Sequence, residues 1–341
     1  MNFDRQDSAL KGRDDVAEDL PERMRAFFAA EGPMSSSDDF EYRPQQQEMA
    51  QAVGEALSSS RPLMVEAGTG VGKSLAYLVP ALLYAAAHAK KAVISTHTIN
   101  LQEQLVQKDI PLAMDMLGLE LKAVLYKGRG NYLCPRRLDA AMAQTRDLFS
   151  SSEEQEMQAI HQWSRETKDG SLSDLSFTPN PKVWAQVRSE PHLCTKRRCK
   201  DTPCFYQALR KRVDEAHVVV MNHTLFFTLL GAIEELEDPN MEGFLFPNDF
   251  VIFDEAHTLE NVAAKQLGLS LSYTNAAFDL HRLHNPRTNR GLLQAIGDST
   301  GVQAVTDLSE ELEFFFNEIE NSCNFRGEHR VHRVRETGLT E

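Results

Sequence analysis

A glycine-rich segment that ends in Lys-Ser carries the clearest chemical signal in this sequence. Residues 66–74 have the sequence Glu-Ala-Gly-Thr-Gly-Val-Gly-Lys-Ser and match the pattern A-x-x-G-x-G-K-S. Glycines at this spacing let backbone N–H groups turn towards phosphate oxygens, and a helix that starts there adds its positive end. Lys73 would bridge the β- and γ-phosphates of ATP, and the Ser74 hydroxyl would bind Mg²⁺. The other residues predicted to bind the nucleotide here are Ala67, Gly68, Thr69, Gly70, Val71 and Gly72.

A pair of carboxylates forms the second candidate site. The apolar segment 251–253 leads directly into Asp254-Glu255-Ala256-His257. Ligands of an open parallel sheet bind beyond the carboxyl ends of its strands, which would place this pair near the glycine-rich loop. Asp254 would hold Mg²⁺ through water, Glu255 would position and deprotonate the attacking water, and His257 completes the predicted catalytic set. Each motif alone has an ordinary alternative, a structural turn or a solvated strand end, but together they indicate ATP hydrolysis.

Four of the five cysteines are clustered in the middle of the chain, and Cys323 stands apart. Cys134, Cys194, Cys199 and Cys204 follow the pattern C-x59-C-x4-C-x4-C. Four thiolates hold either zinc or a [4Fe–4S] cluster, and three close ligands with one remote ligand fit a zinc ribbon poorly. The pattern therefore favours a [4Fe–4S] cluster, with a zinc site and ordinary core cysteines as the alternatives.

Basic residues surround these cysteines in a chain whose formal net charge is -14. Between Cys194 and Arg212 the sequence has seven Lys or Arg residues and one Asp. Such a local concentration would bind the phosphate backbone of DNA, and the predicted contacts are Lys196, Arg197 and Arg198. Tyr132, Phe205 and Tyr206 would offer stacking faces, although we expect at least one of the last two to be a core residue instead.

Apolar strands that alternate with helices predict an α/β fold with a parallel sheet covered on both faces. A short helix is also expected near residues 21–30. The predicted strands are 62–66, 92–96, 122–126, 217–221 and 250–253, and the predicted helices are 45–57, 74–87 and 101–117. About 90 residues separate the third and fourth strands, where an ordinary connection has about 2–6. We therefore expect an inserted subdomain there, and it contains all four clustered cysteines.

The predicted organisation has four parts. Residues 1–40 form an acidic tail and linker, 41–130 with 210–262 form the nucleotide-binding lobe, 131–209 form the insert, and 263–341 are helical. No apolar run reaches the length of a membrane-spanning helix, and no signal peptide is evident, so we expect a cytoplasmic protein that does not bind membranes.

The glycine-rich loop and the Asp-Glu-Ala-His box together resemble motifs I and II of superfamily-two helicases. Lys73 and Asp254 are 181 positions apart in the sequence, which is similar to the DinG/XPD type, whose RecA-like lobe contains an inserted iron–sulfur subdomain. The resemblance implies an ATP-dependent DNA helicase that uses ATP, Mg²⁺ and a [4Fe–4S] cluster. It also implies 5′→3′ movement on single-stranded or forked DNA, in repair or replication.

Three further segments resemble elements of the same family. Tyr42-Arg43-Pro44-Gln45-Gln46 resembles the adenine-side element, which implies that Gln46 reads the base and Arg43 lies beside it. Residues 95–102 resemble motif Ia, which implies DNA contacts by Thr96, Thr98 and Asn100. Residues 218–225 resemble a segment beside the nucleic-acid path, which adds Asn222 and His223. The ordinary alternatives are a helix start, a polar loop and a strand cap.

The second motor lobe of such helicases has a Gln-x-x-Gly-Arg-x-x-Arg motif, which residues 258–341 do not contain. The helical segment 263–341 resembles the start of the family's arch domain. We therefore expect one motor lobe only, and a chain that does not unwind DNA alone. Two other functions remain open: a non-catalytic fragment that binds ATP and DNA, and an unrelated P-loop ATPase or kinase.

Overall fold

The computed structural model describes residues 19–36, 41–143, 151–191, 204–234, 249–323 and 332. The chain folds as two compact units, Met1–Leu267 and Gly268–Glu341. Within the described ranges no helix is long and apolar enough to cross a membrane.

The first unit is built on a parallel sheet of four strands in the order β2-β3-β1-β4. The strands are β1 (Lys91–Thr96), β2 (Ala123–Leu125), β3 (Val218–Asn222) and β4 (Asp249–Phe253). In the register of the sheet, Ser95 of β1 lies opposite Phe253 of β4, and Thr96 lies opposite Asn222 of β3. The carboxyl ends of three strands therefore meet at one edge.

The helices of this unit precede, connect and follow the strands. They are α1 (Leu20–Phe27), α2 (Pro44–Ser59), α3 (Lys73–His88), α4 (Ile99–Gln104), α5 (Ile110–Leu117), α6 (Pro135–Ala143), α7 (Ser151–Trp163), α8 (Pro181–Val187), α9 (Phe205–Asp214), α10 (His223–Glu234) and α11 (Leu259–Leu267). One π-helical turn, Leu105–Asp109, joins α4 to α5, where the sequence predicts one continuous helix around Pro111.

The side chains of the central strands alternate between two hydrophobic cores, one on each face of the sheet. Ile94 and Val220 point into a core formed with α1, α2, α3 and α5. Val93 and Val219 point into a core that includes residues of α9 and α10. Each face buries apolar side chains at every second position, as expected for a doubly covered parallel sheet. This confirms the predicted α/β fold class.

The predicted strand at residues 62–66 does not form. These residues lie outside any helix or strand, and the side chain of Met64 is 97% exposed. A strand forms only where its backbone hydrogen bonds to a neighbouring strand. In the described sheet, β4 pairs with β1, and residues 62–66 pair with neither of them. The prediction was wrong because apolar residues before a loop do not themselves supply that neighbour.

The residues between β2 and β3 have a small hydrophobic core of their own. Leu133 and Leu138 pack there with Met157, Ile160 and Trp184, which come from α7 and α8. Isolated β-bridges, such as the one between Leu133 and Arg188, connect its loops. These residues form a hydrophobic cluster apart from the two cores of the sheet, within the first unit.

The second unit consists of helices in its described part. They are α12 (Tyr273–Leu283), α13 (Leu292–Ile296) and α14 (Ser299–Ser322). The rings of Tyr273 and Phe316 meet edge to face at 5.7 Å, which joins α12 to α14. On α14, Val305 is buried, whereas Phe315 is half exposed.

Candidate nucleotide site

The glycine-rich loop makes a tight turn that ends at the start of a buried helix. Gly70 and Gly72 have φ angles of +78° and +84°, in the left-handed region that favours glycine. Gly72 is the N-cap of α3, so Lys73 and Ser74 occupy its first turn. One face of α3 is anchored in the core, which gives the two functional side chains a rigid base.

Gln46 is held directly against this loop. Its side chain is 5% exposed, and its Nε2 atom donates a hydrogen bond to the Gly72 carbonyl at 2.9 Å. A β-carbon at position 72 would displace this amide, and the φ angle of +84° also favours glycine there. Arg43, three residues earlier, is exposed and pairs with Glu41 at 2.8 Å. The sequence predicts that Gln46 belongs to the nucleotide site but does not predict its bond to the loop.

Asp254 lies at the carboxyl end of β4 and is fixed from three sides. Its backbone N–H donates to the Ser95 carbonyl at 2.8 Å, and its Oδ1 accepts a bond from the Glu255 N–H at 3.1 Å. The Tyr77 hydroxyl donates to its Oδ2 at 3.3 Å. Burial raises the pKa of Asp254 and the charge of Glu255 adds to the rise, while Lys73 acts against it.

Tyr77 is a site residue that the sequence reasoning missed. It follows Lys73 by four positions on α3, so both side chains project from the same face of the helix. Burial raises the pKa of Tyr77 well above its ordinary value, and the charge of Asp254 raises it further. Its hydroxyl therefore stays a neutral hydrogen-bond donor to Asp254. The helical spacing from Lys73 is the signal that could have found it.

Glu255 faces both Lys73 and His257. The Lys73 Nζ atom lies 3.7 Å from Glu255 Oε1, and His257 Nδ1 lies 3.4 Å from Oε2. The backbone of Glu255 has φ +54°, a conformation that costs a residue with a β-carbon about 1 kcal/mol or more. The structure thus brings together all four predicted catalytic residues, Lys73, Asp254, Glu255 and His257, around one strained turn.

These groups suit Mg²⁺ bound together with phosphates. Within the described residues no group of three or more His, Cys, Asp or Glu side chains is arranged to hold a metal by itself. Mg²⁺ in nucleotide sites is held by one or two protein oxygens, phosphate oxygens and water, so such a group is not required. The Asp254 carboxylate and the Ser74 hydroxyl are hard oxygen ligands of the kind this ion prefers.

The predicted DNA contacts fall into two groups. Asn100 is exposed after β1, and so is Thr98, whose hydroxyl accepts a bond from the Leu101 N–H at 3.3 Å and caps α4. Asn222 is partly exposed and accepts a bond from the Leu225 N–H at 2.8 Å. In contrast, Thr96 is fully buried and His223 is 1% exposed, so neither side chain reaches solvent here.

Two of the four cysteines lie in the described part of the chain. Cys134 is buried directly before α6, and Cys204 is the N-cap of α9. The rings of Tyr132 and Tyr206, each two residues from one of these cysteines, are 6.0 Å apart. Cys194 and Cys199 lie outside the described residues, as do the predicted DNA contacts Lys196, Arg197 and Arg198.

The aromatic residues beside the cysteines belong mainly to the core. Tyr206 is buried, its hydroxyl lies 2.9 Å from that of Tyr126, and the Arg129 guanidinium lies over its ring. Tyr132 is also buried, and Phe205 packs against Gly170. The buried rings of Tyr132 and Tyr206 are therefore core residues and not exposed stacking faces, whereas Phe205 is partly exposed. This agrees with the expectation that at least one of Phe205 and Tyr206 belongs to the core.

The fold and the site together define a class of protein. A glycine-rich loop opens a buried helix beside a doubly covered parallel sheet, and a carboxylate pair stands where a strand of that sheet ends. This combination is the ATP-binding lobe of a RecA-like P-loop ATPase.

Comparisons with known proteins identify the family. The family model of the DEAD/DEAH box helicases matches residues 43–166, and the DEAD_2 model matches residues 190–275. The ATP-dependent DNA helicase YoaA of Haemophilus influenzae is 34% identical over 318 residues, covering 92% of this chain and 47% of the relative. The ATP-dependent helicase DinG of Mycobacterium tuberculosis is 34% identical over 302 residues, covering 82% of this chain and 43% of the relative.

A solved structure of an XPD helicase is also similar, with a TM-score of 0.44 and 14% identity, covering 86% of this chain and 44% of that chain. A similarity at this level is too low to support the assignment. The family matches and the relatives identify the family without this structure: the chain belongs to the DEAD/DEAH box helicases, and helicases named DinG and YoaA are among its relatives. It spans less than half the length of these curated relatives.

Proposed function

We propose that this chain is the ATP-binding half of an ATP-dependent DNA helicase. The observation that carries the proposal is the convergence of the loop lysine and the acidic box, with Lys73 Nζ 3.7 Å from Glu255 Oε1. Relatives named ATP-dependent helicases support the same function. The protein would act in the cytoplasm, in DNA repair or replication, as a motor that moves 5′→3′.

The residues of the site have separate roles in ATP binding and hydrolysis. Lys73 leaves Glu255 and binds the β- and γ-phosphates, which frees the Glu255 carboxylate to orient and deprotonate a water molecule. Asp254 and Ser74 would hold Mg²⁺, which neutralises charge on the phosphates when bound. Tyr77 keeps the Asp254 carboxylate in place, and His257 orients Glu255 from the other side.

Gln46 and Arg43 would bind the adenine side of the nucleotide. The bond from Gln46 to the Gly72 carbonyl supports this role for Gln46, because the same side chain would then sense both the base and the loop. Arg43 at the start of α2 has only an exposed ion pair, which a ligand displaces at little cost.

Single-stranded or forked DNA is the proposed substrate. The exposed residues Thr98 and Asn100 stand at the turn after β1, on the same edge of the sheet as Asn222. Hydroxyl and amide groups of this kind donate to phosphate oxygens. The predicted basic contacts Lys196, Arg197 and Arg198 would add charge-dependent affinity.

The four clustered cysteines would hold a [4Fe–4S] cluster. Two observations support this role for Cys134 and Cys204. Each cysteine lies at the start of a helix, and the ring of Tyr132, near Cys134, contacts the ring of Tyr206, near Cys204. Backbone N–H groups at helix starts suit the negative charge of thiolate ligands. The cluster would tie α6 and α9 together beside the small core of the insert, in the proposed subdomain 131–209.

Titration with a fluorescent ATP analogue and Mg²⁺ tests the nucleotide site on the purified chain. Wild type should bind, and Lys73→Ala should weaken binding at least tenfold, because a charge-assisted phosphate contact is lost. Lys265→Ala, which removes an exposed lysine of α11, is the matched control and should bind like wild type. Equal affinity of Lys73→Ala and wild type would contradict the proposal.

A non-catalytic role in binding ATP and DNA is the second candidate. ATP turnover separates the two. A DNA-dependent rise in phosphate release, abolished by Glu255→Gln, supports the motor function. Nucleotide and DNA binding without any turnover supports the second candidate.

A further inference from the structure

His223 occupies the point where three strands of the sheet end. It follows β3 directly as the first residue of α10, and its ring is buried. Its Nδ1 atom lies 2.7 Å from the hydroxyl of Ser95, a fully buried residue of β1. The ring centre also lies 6.1 Å from that of Phe253, the last residue of β4. His223 therefore contacts both neighbouring strand ends.

The ring of His223 lies beside the acidic box, since both contact Ser95: His223 through the Ser95 hydroxyl, and Asp254 through the Ser95 carbonyl. Nε2 is buried and has no hydrogen-bond partner in the described part of the chain. Burial lowers the pKa of His223, while the backbone of Glu255 and Asp254 acts to raise it. A neutral imidazole has one donor and one acceptor nitrogen, and here only the side towards Ser95 is satisfied.

A second connection links the same two turns at the surface. The His97 ring nitrogen Nδ1 lies 3.3 Å from the Thr258 hydroxyl, which donates to the Glu255 carbonyl at 3.2 Å. The turn after β1 is therefore tied to the acidic box through His97 and Thr258. The end of β1 itself is tied to the box by the bond from the Asp254 N–H to the Ser95 carbonyl at 2.8 Å, and His223 contacts the same Ser95 through its hydroxyl. The turn after β1 also contains the exposed residues Thr98 and Asn100.

We infer that His223 is a positioning residue that couples nucleotide binding at the acidic box to DNA binding at the turn after β1. The inference rests on the proposed function and deepens it. When Lys73 leaves Glu255 for phosphate, the strained Asp254–Glu255 peptide relaxes, and its carbonyl completes the bond to Nε2 of His223. Ser95, bound at Nδ1, moves with the ring and carries Thr98 and Asn100 with it.

Two substitutions of His223 each retain the contact of one ring nitrogen and remove the contact of the other. His223→Asn places an amide near the position of Nδ1, so it retains the Ser95 side only. His223→Gln reaches the position of Nε2 and retains the side of the acidic box. Ser95→Ala removes the hydroxyl without removing the ring, and it is the variant to use if a change at His223 prevents folding. His284→Gln changes another buried histidine, in the second unit, and is the matched control.

The measurement is a binding cycle on the 341-residue chain. The dissociation constant of a fluorescent single-stranded oligonucleotide is determined with and without saturating ATPγS and Mg²⁺. We expect nucleotide to change it about fivefold or more in wild type and in His284→Gln, as is typical of coupled sites. In His223→Asn, His223→Gln and Ser95→Ala, the ratio of the two dissociation constants, without and with nucleotide, should be about one.

Other outcomes overturn the inference and are distinguishable. If His223→Asn weakens DNA binding equally with and without nucleotide, His223 is a direct contact and not a coupling residue. A wild-type ratio of about one, with each ligand binding separately, would reject the coupling and leave the proposed function intact. Failure of wild type to bind the nucleotide at all would reject the proposed function as well.

Discussion

Lys73 of the glycine-rich loop and Glu255 of the acidic box form an ion pair, with Nζ 3.7 Å from Oε1. The pair joins the first turn of α3 to the acidic box after β4. Each side chain is 33% exposed, so water screens the attraction, and it stabilises the fold by about 1 kcal/mol or less. A triphosphate therefore displaces Glu255 from Lys73 at little cost.

Replacement of Glu255 should uncouple binding from hydrolysis. Glu255→Gln removes the charge that competes with phosphate for Lys73, so we expect Mg²⁺–ATP to bind as tightly as in wild type or a few-fold more tightly. Turnover should be lost wherever wild type shows it, because an amide does not take a proton from water. Titration and phosphate release measure the two effects. Binding weakened as severely as in Lys73→Ala would contradict this assignment of Glu255.

Loss of the Tyr77 hydroxyl should weaken the metal-dependent part of nucleotide binding. Tyr77→Phe keeps the ring that packs in the core but removes the donor to Asp254 Oδ2. We expect a loss of stability of about 1 kcal/mol and a severalfold weaker affinity for Mg²⁺–ATP, with ATP in EDTA unaffected. Tyr84→Phe, on the same helix and also buried, is the control. Equal effects in EDTA and in Mg²⁺ would show that Tyr77 does not act through Asp254.

The nearly buried ammonium group of Lys127, after β2, connects α4 to the insert. The Lys127 ammonium is 5% exposed and donates to Glu103 of α4 at 2.8 Å and to Ser173 at 2.6 Å. Lys127→Met should lower the thermal midpoint by several degrees, since removal of one partner leaves polar groups unpaired and costs about 1–3 kcal/mol. Exposed Lys168→Met is the control and should leave the midpoint unchanged.

The same pair predicts a pH dependence with a definite sign. The hydrogen bond from Lys127 lowers the pKa of Glu103 below 4.5, although burial acts in the opposite direction. A depressed folded-state pKa contributes stability above the unfolded value, and this contribution is lost as the pH falls through the folded value. The stability difference between wild type and Glu103→Gln should therefore be fully present at neutral pH and should shrink on acidification, as the pH falls through the lowered pKa of Glu103. A difference that grows on acidification would contradict the assignment.

The cysteine ligands should behave as one set. Serine at Cys134, Cys194, Cys199 or Cys204 should remove iron and labile sulfide together from anaerobically purified protein, and it should loosen the insert around its small core. Cys323→Ser is the control with unchanged iron content. One equivalent of zinc without labile sulfide would show that these cysteines hold zinc and not a [4Fe–4S] cluster.

The chemistry of this site was largely readable from the sequence, because it resides in short segments. The glycines at 70 and 72, with Lys73 and Ser74 after them, specify a left-handed turn that opens a helix, and this depends only on neighbours in the chain. The carboxylate pair after an apolar strand is equally local. Alternation of buried strands and helices was sufficient to predict the α/β fold class.

Tertiary structure alone decided which distant groups meet. The strand order β2-β3-β1-β4 places Ser95 between His223 and the acidic box, and no local pattern contains that order. The same holds for Gln46 against Gly72 and Tyr77 against Asp254, since each pair depends on how helices pack on the sheet. Residues 62–66 have the composition of a strand but no partner within the described sheet, because backbone pairing is a property of two segments and not of one.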